Sequence, residues 1–187
     1  MMKVARTTCY GAALVVLVAG MVHAGAAWAG ADEPDSSDRA EEKTSVDLAE
    51  IRARAETMPI DRRTDIDKRI RATVERINAQ AAGKGQAAVA ARLASEFSMT
   101  SEALLDEKAQ PGFSWGEMVI AHTLLANSGD KVTFPDLVTL RSEGLGWGAI
   151  AFGLRFHLED FEDAIKTEGK VAMGLSKADG KAAVIGK

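Results

Sequence analysis

The sequence predicts a compact all-α bundle of about seven short helices. Apolar residues recur at intervals of three or four along most of the chain, which is the spacing of one helix face. No segment alternates apolar and polar residues over five or more positions, as a half-buried strand would. A 32-residue unit also occurs twice, because 112–118 (GFSWGEM) is followed by the similar 144–150 (GLGWGAI).

Residues 1–29 have the pattern of a secretory signal peptide. Two basic residues precede an apolar run over 9–22, and 27–29 (AWA) has the small residues of a cleavage site. We therefore expect a periplasmic or secreted protein whose mature chain begins at Gly30 and has no membrane span. A retained membrane anchor is the competing interpretation, but the apolar run is short and lacks a basic stop-transfer flank.

The predicted mature chain has 158 residues, without cysteine or tyrosine. Disulfides, thiolate metal sites and cysteine nucleophiles are therefore excluded from it. It carries 21 basic and 27 acidic residues, and residues 31–50 account for the whole acidic excess. Because 51–187 is balanced at 19 residues of each sign, the sequence gives no electrostatic reason to bind nucleic acid or an anionic membrane.

The mature chain divides into three parts. Residues 30–44 form an acidic leader without a large apolar residue, and we expect disorder there because little surface can be buried. The all-α domain covers 45–169, with N-terminal helices in 45–98 and the repeat units in 99–169. Residues 170–187, rich in glycine, alanine and lysine, are expected to form a flexible tail.

Three helices are predicted before the repeat units. The first covers about 45–57 and is stopped by Pro59. The second runs over about 64–82 until a glycine-rich break, and an alanine-rich third helix covers about 86–97. The apolar stripe of the second helix consists of Ile66, Ile70, Thr73, Ile77 and Ala81.

Each repeat unit is predicted to consist of a helix, a glycine corner and a second helix that begins near a tryptophan. Ser114 with Glu117, and Thr133 with Asp136, have the spacing of capping boxes at helix starts. A last helix is expected over about 158–167, ending before Gly169 and the flexible tail.

The candidate site consists of six residues from the two corners, and we expect their role to be structural: Gly112, Trp115, Gly116, Gly144, Trp147 and Gly148. Gly112 and Gly144 are expected to end a helix at positive φ, which glycine adopts without a Cβ penalty. Both tryptophans are expected to be mostly buried. The glycine after each tryptophan is expected to let a neighbouring backbone approach beside the indole.

From about Ile77 onward, the order of features resembles a group of small exported bacterial helical proteins whose function is not established. That group shares an alanine-rich helix, a short capped helix, a GxxWG or GxGFG corner and the motif LxxLRxxGxGWGxIA. This chain matches with 112–116 (GFSWG) and 137–151 (LVTLRSEGLGWGAIA). The resemblance implies a helical fold and export, and it implies no activity.

The stretch 137–151 also resembles the first two helices of a helix-turn-helix, with the pattern LxxxGxxWxxIA. Export and the balanced charge of the body oppose DNA binding. The helix that would enter the DNA groove also carries four acids, which phosphates would repel: Glu159, Asp160, Glu162 and Asp163. A DNA-binding protein remains the alternative if the hydrophobic start is not a signal.

No catalytic residue, metal site or cofactor is predicted. No nucleophile and base are linked by their spacing, and neither His122 nor His157 belongs to a zinc-binding pattern. His157 is expected to pair with Asp160 on a helix surface. A metal or stress sensor that uses the two histidines and Met118 is the third hypothesis. The leading one is a noncatalytic binding or scaffolding protein whose unidentified partner is a protein or a cell-envelope component.

Overall fold

The computed structural model describes residues 48–187, which form eight α-helices and one 3₁₀ turn, with no strand in that range. The helices are α1 (48–56), α2 (Ile60–Ala82), α3 (Gln86–Glu96), α4 (Ser101–Lys108), α5 (Trp115–Ser128), α6 (Phe134–Ser142), α7 (Trp147–Gly153) and α8 (Leu158–Ala172). The all-α prediction is confirmed. The predicted signal peptide and acidic leader lie outside the described residues. None of the helices in 48–187 combines the length and the apolar character needed to cross a membrane.

Helix α2 is the central element, because α3, α5, α7 and α8 all pack against it. Its buried side chains are the stripe predicted from the sequence: Ile66, Ile70, Thr73, Ile77 and Ala81. The helix begins at Ile60, earlier than predicted. Pro59 separates α1 from α2 and precedes the first turn, where a missing N–H costs nothing.

Helix α5 is surrounded by protein on nearly every side and packs against α2, α6 and α8. Met118, Val119, Ile120 and Ala121 are consecutive and fully buried, so the helix has no polar face along this part. Such a helix forms the middle of a core, and α2 and α8 cover it.

Both predicted capping boxes are present. Ser114 N donates to Glu117 Oε2 at 2.9 Å, and Glu117 N donates back to Ser114 Oγ at 3.3 Å. At the start of α6, Thr133 N donates to Asp136 Oδ2 at 2.8 Å, and Asp136 N donates to Thr133 Oγ1 at 3.4 Å. Each box supplies partners for amide groups that a helix start leaves unpaired.

The end of the chain differs from the prediction. Helix α8 continues to Ala172, past Gly169, which was expected to end it. A methyl group at Gly169 would lie 2.8 Å from Ile77 Cδ1, so this glycine serves the close packing of α8 on α2. The tail predicted as flexible packs along the bundle: Ile185 is buried in the core, and His157 N donates to Gly186 O at 2.9 Å.

Candidate functional site

Trp115 and Trp147 are the first residues of α5 and α7, and both are buried, with 8% and 5% of their surfaces exposed. The predicted burial of the two indoles is confirmed. Lys108 Nζ lies 5.6 Å from the ring centre of Trp115, and the Arg141 guanidinium lies 4.9 Å from that of Trp147. Phe113 meets Trp147 edge-on at 6.1 Å, which ties the corner of the first unit to the tryptophan of the second.

The two corner glycines share a backbone conformation, but only one of them directly ends a helix. Gly112 and Gly144 have φ of +86° and +90°, so the predicted positive φ is confirmed at both. Gly144 follows α6, and the bond from Leu145 N to Leu140 O at 3.2 Å closes a Schellman-type cap. Helix α4 ends before it reaches Gly112, since Pro111 disfavours helical geometry in the residue before it. The prediction that both glycines end a helix is correct for Gly144 and wrong for Gly112.

Gly116 and Gly148 allow close approach, and the neighbour is α2 in both units. A methyl group at Gly116 would lie 2.8 Å from Val74 Cα, which is backbone as predicted. At Gly148 it would lie 2.5 Å from Ile66 Cγ2, which is a side chain. Ile66 and Val74 are about 12 Å apart along α2 at the rise of an α-helix. The repeated corners therefore dock side by side on one helix.

Helix α2 also caps both docked helices from outside. Asn78 Oδ1 accepts the N–H of Gly116 at 2.8 Å, and Asp67 Oδ1 accepts the N–H of Gly148 at 3.4 Å. Helix α7 begins after Gly146, which has no side chain to act as a cap. The Asp67 carboxylate takes that place, and its charge suits a helix N-terminus. No local pattern in the sequence indicates these caps, because donor and acceptor lie far apart in the chain.

His122 is buried and lies between two aromatic rings, with ring centres 5.2 Å from Phe97 and 5.8 Å from Phe134. Its Nε2 lies 2.7 Å from Glu107 Oε2, at an angle that does not make a hydrogen bond. No group of three histidine or acidic side chains in the described range is arranged to hold a metal ion. His122 thus has a core position with one carboxylate neighbour.

Arginines of α2 and acids of α8 form ion pairs between the two helices. Arg69 Nε lies 2.9 Å from Glu162 Oε2, and Arg62 Nη2 lies 3.7 Å from Glu159 Oε1. Within α2, Arg69 also pairs with Asp65 at 3.1 Å. The packing of α2 on α8 adds partners that helical spacing alone does not indicate. The predicted pair of His157 with Asp160 is also present, at 3.5 Å, on an exposed surface.

A groove of about 280 Å³ lies between α2 and α8. Its lining residues are Thr73, Arg76, Ile77, Gln80, Lys166, Gly169, Lys170, Met173 and Leu175. Ile77 and Met173 are buried side chains, whereas Leu175 is 63% exposed.

Arg76 and Lys170 have no carboxylate within 4.0 Å among the described residues, while Lys166 pairs with acids of α8. We call this the α2–α8 groove. Sequence reasoning missed it because its two walls are about 90 residues apart.

Two buried carboxylates bind the C-terminal segment, residues 173–187, which follows α8. Glu96 Oε2 accepts the N–H of Asp179 at 2.8 Å, and Glu168 Oε1 accepts the N–H of Ala183 at 2.6 Å. Burial raises the pKa of Glu168 to about 7, and the nearby charges of Glu96 and Asp179 also raise it, against the opposing effect of the Ala183 hydrogen bond. The folded protein therefore binds a proton at Glu168 more tightly than the unfolded chain does.

Asn127 completes this attachment from α5. Its Oδ1 accepts the N–H of Ile185 at 2.8 Å, and its Nδ2 donates to Ala183 O at 2.9 Å. The segment thus follows α3, α5 and α8 through side chains that sequence reasoning did not select. No family model, curated protein or solved structure matches this chain.

Proposed function

We propose that this protein is an exported, noncatalytic helical protein that acts by binding or scaffolding in the periplasm or outside the cell. The observation that carries the proposal is the α2–α8 groove, which combines an apolar floor with exposed cations. Apolar pockets with a few converging polar groups are the usual form of a binding site. Both walls of the groove are long helices anchored in the core, and the turn after α8 adds Met173 and Leu175 to the lining.

The contacts of four polar side chains support a noncatalytic role. The carboxylates of Glu96 and Glu168 accept hydrogen bonds from backbone amides of the C-terminal segment. Asp67 and Asn78 cap the helices of the repeated corners. These groups hold elements together, and none faces the groove. The buried His122 has a single carboxylate neighbour, Glu107, whose side chain is partly exposed.

DNA binding by α6, α7 and α8 is the runner-up, and the packing of α8 counts against it. A recognition helix must expose one face to the major groove. Helix α8 packs against α2, α3, α5 and α7. Its exposed acids, Glu159 and Asp160 among them, would meet phosphates with the same sign of charge.

The first experiment tests export. Cells are fractionated and the N-terminus of the protein is determined by mass spectrometry. We expect a periplasmic or secreted chain that begins at Gly30. A full-length chain in the cytoplasm would refute export and favour the DNA-binding alternative.

The second experiment tests binding at the groove. A photo-crosslinking amino acid replaces Leu175, which lines the groove, or Glu102, an exposed residue of α4 that does not. Crosslinking is carried out in the intact cells. We expect a discrete adduct, protein or small molecule, at position 175 and none at position 102. Equal adducts at both positions, or none at either, would contradict the proposal that the groove binds.

A further inference from the structure

We infer that the α2–α8 groove binds a single-chain amphiphile with a carboxylate head group, a fatty acid. This inference rests on the proposed function and names the ligand class of the same site. Its basis is the combination in one groove of an apolar floor, two rim cations without a carboxylate partner in residues 48–187, and a small volume.

The floor suits an acyl chain. Ile77 from α2 and Met173 from the end of α8 form it, and Gly169 between them adds no side chain. Leu175 lies at the edge with 63% of its surface exposed, which is unusual for a large apolar residue of this bundle. An alkyl chain laid along the groove would remove this surface from water, and burial of apolar area is favourable at about 25 cal/mol per Å².

The rim suits an anionic head. Arg76 on α2 and Lys170 on α8 line the groove from opposite walls, and neither has a carboxylate within 4.0 Å among the described residues. Lys166 lies 2.9 Å from Glu162 Oε1 and 3.1 Å from Asp163 Oδ1, so its charge is already compensated. A carboxylate between Arg76 and Lys170 would gain charge-assisted hydrogen bonds. A cationic head would be repelled by these side chains, and an uncharged head would form no ion pair with them.

The volume limits the ligand to one chain. Pockets that enclose drug-sized ligands range from about 300 to 1,000 Å³. At about 280 Å³ the groove lies just below that range. It can take one acyl chain of moderate length, whereas a two-chain phospholipid would leave most of its apolar surface in water.

The test is titration calorimetry on the purified protein with decanoate, decyltrimethylammonium and decyl maltoside, each below its micelle concentration. We expect saturable 1:1 binding of decanoate and at least roughly tenfold weaker binding of the other two. The double variant Arg76→Gln/Lys170→Gln should bind decanoate at least roughly tenfold more weakly. The control Lys177→Gln/Lys181→Gln makes the same change in net charge on exposed lysines outside the groove and should bind as the wild type does.

A second pair of variants tests the floor. Leu175→Ser should weaken decanoate binding several-fold, and Val184→Ser, at a residue that is 86% exposed and outside the groove, should leave it unchanged. All four variants alter exposed side chains, so their folds should persist.

Three results would overturn the inference. They are equal affinity for the three amphiphiles, unchanged decanoate affinity in the Arg76/Lys170 variant, and no amphiphile binding at all. If no amphiphile binds in calorimetry while the crosslinker at position 175 captures a partner in cells, the ligand class is wrong and the proposed function stands. If both experiments fail, the groove is not a binding site.

Discussion

Replacing Gly116 by alanine should separate the first repeated corner from the helix that supports it. The new methyl group would lie 2.8 Å from Val74 Cα and 2.9 Å from Val74 O, both backbone atoms. No rotation of a side chain relieves such a contact, so α5 must move away from α2. That movement also weakens the hydrogen bond from Gly116 N to Asn78 Oδ1, which is 2.8 Å in the native protein.

The expected loss of stability follows from three contributions. Overpacking of this kind costs about 1–3 kcal/mol. A weakened hydrogen bond adds about 0.5–1.5 kcal/mol. Alanine has the higher helix propensity, which offsets up to about 1 kcal/mol. We therefore expect Gly116→Ala to lower the free energy of unfolding by about 0.5–4.5 kcal/mol, or to lower Tm by about 2–15 °C.

Gly83→Ala is the matched control. Gly83 has φ of −79°, and the nearest atom to a methyl group there is Gln80 O at 3.9 Å. Alanine is compatible with this conformation, so the change should be neutral or stabilising by up to about 1 kcal/mol. Urea unfolding at 25 °C, followed by circular dichroism and by tryptophan fluorescence, measures both variants. Equal stability of Gly116→Ala and Gly83→Ala would refute the close approach of α5 to α2.

Three further predictions follow from the structure. Gly144→Ala should lower the free energy of unfolding by about 1 kcal/mol or slightly more, because the site has open space and positive φ alone penalises the side chain; a neutral effect in urea unfolding would contradict this. Trp147→Ala should cost roughly 3–5 kcal/mol, and tryptophan emission of the native mature protein should resist iodide quenching, whereas easy quenching would mean that the rings are exposed. Because the pKa of Glu168 is raised to about 7 in the folded protein, stability should fall as pH rises from about 4.5 to 7, by up to about 3 kcal/mol. Glu168→Gln should remove this slope in unfolding curves across pH 4–8, the exposed Glu56→Gln should retain it, and a slope unchanged by Glu168→Gln would contradict the assignment.

The glycines show how far local sequence information reaches. Positive φ at Gly144 was predictable, because the helix before it and the hydrophobic residue after it form a local cap pattern. The last helix was expected to end before Gly169, yet this glycine lies inside α8. Its role depends on Ile77, 92 residues earlier in the chain, and no local pattern distinguishes a packing glycine from a terminating one.

The candidate site likewise combines features that the sequence predicts with features that depend on tertiary packing. Burial of both tryptophans was predictable from their place at the start of a helix behind a glycine corner. The residues that receive those helices, Asp67 and Asn78, were not, because they lie 81 and 38 residues from their partners. The sequence predicted α2 from its apolar stripe, and tertiary packing makes this helix the common support of both corners.

By itself, the sequence determined the helices, the two capping boxes, the apolar stripe of α2 and the positive φ of the corner glycines. These features depend on interactions among residues a few positions apart, which every chain with this sequence can form. The tertiary structure alone decided the α2–α8 groove, the caps that α2 provides and the course of the C-terminal segment. Those depend on which helix faces pack together, and packing brings Arg76 to Lys170 and Glu168 to Ala183 only when the whole core has formed.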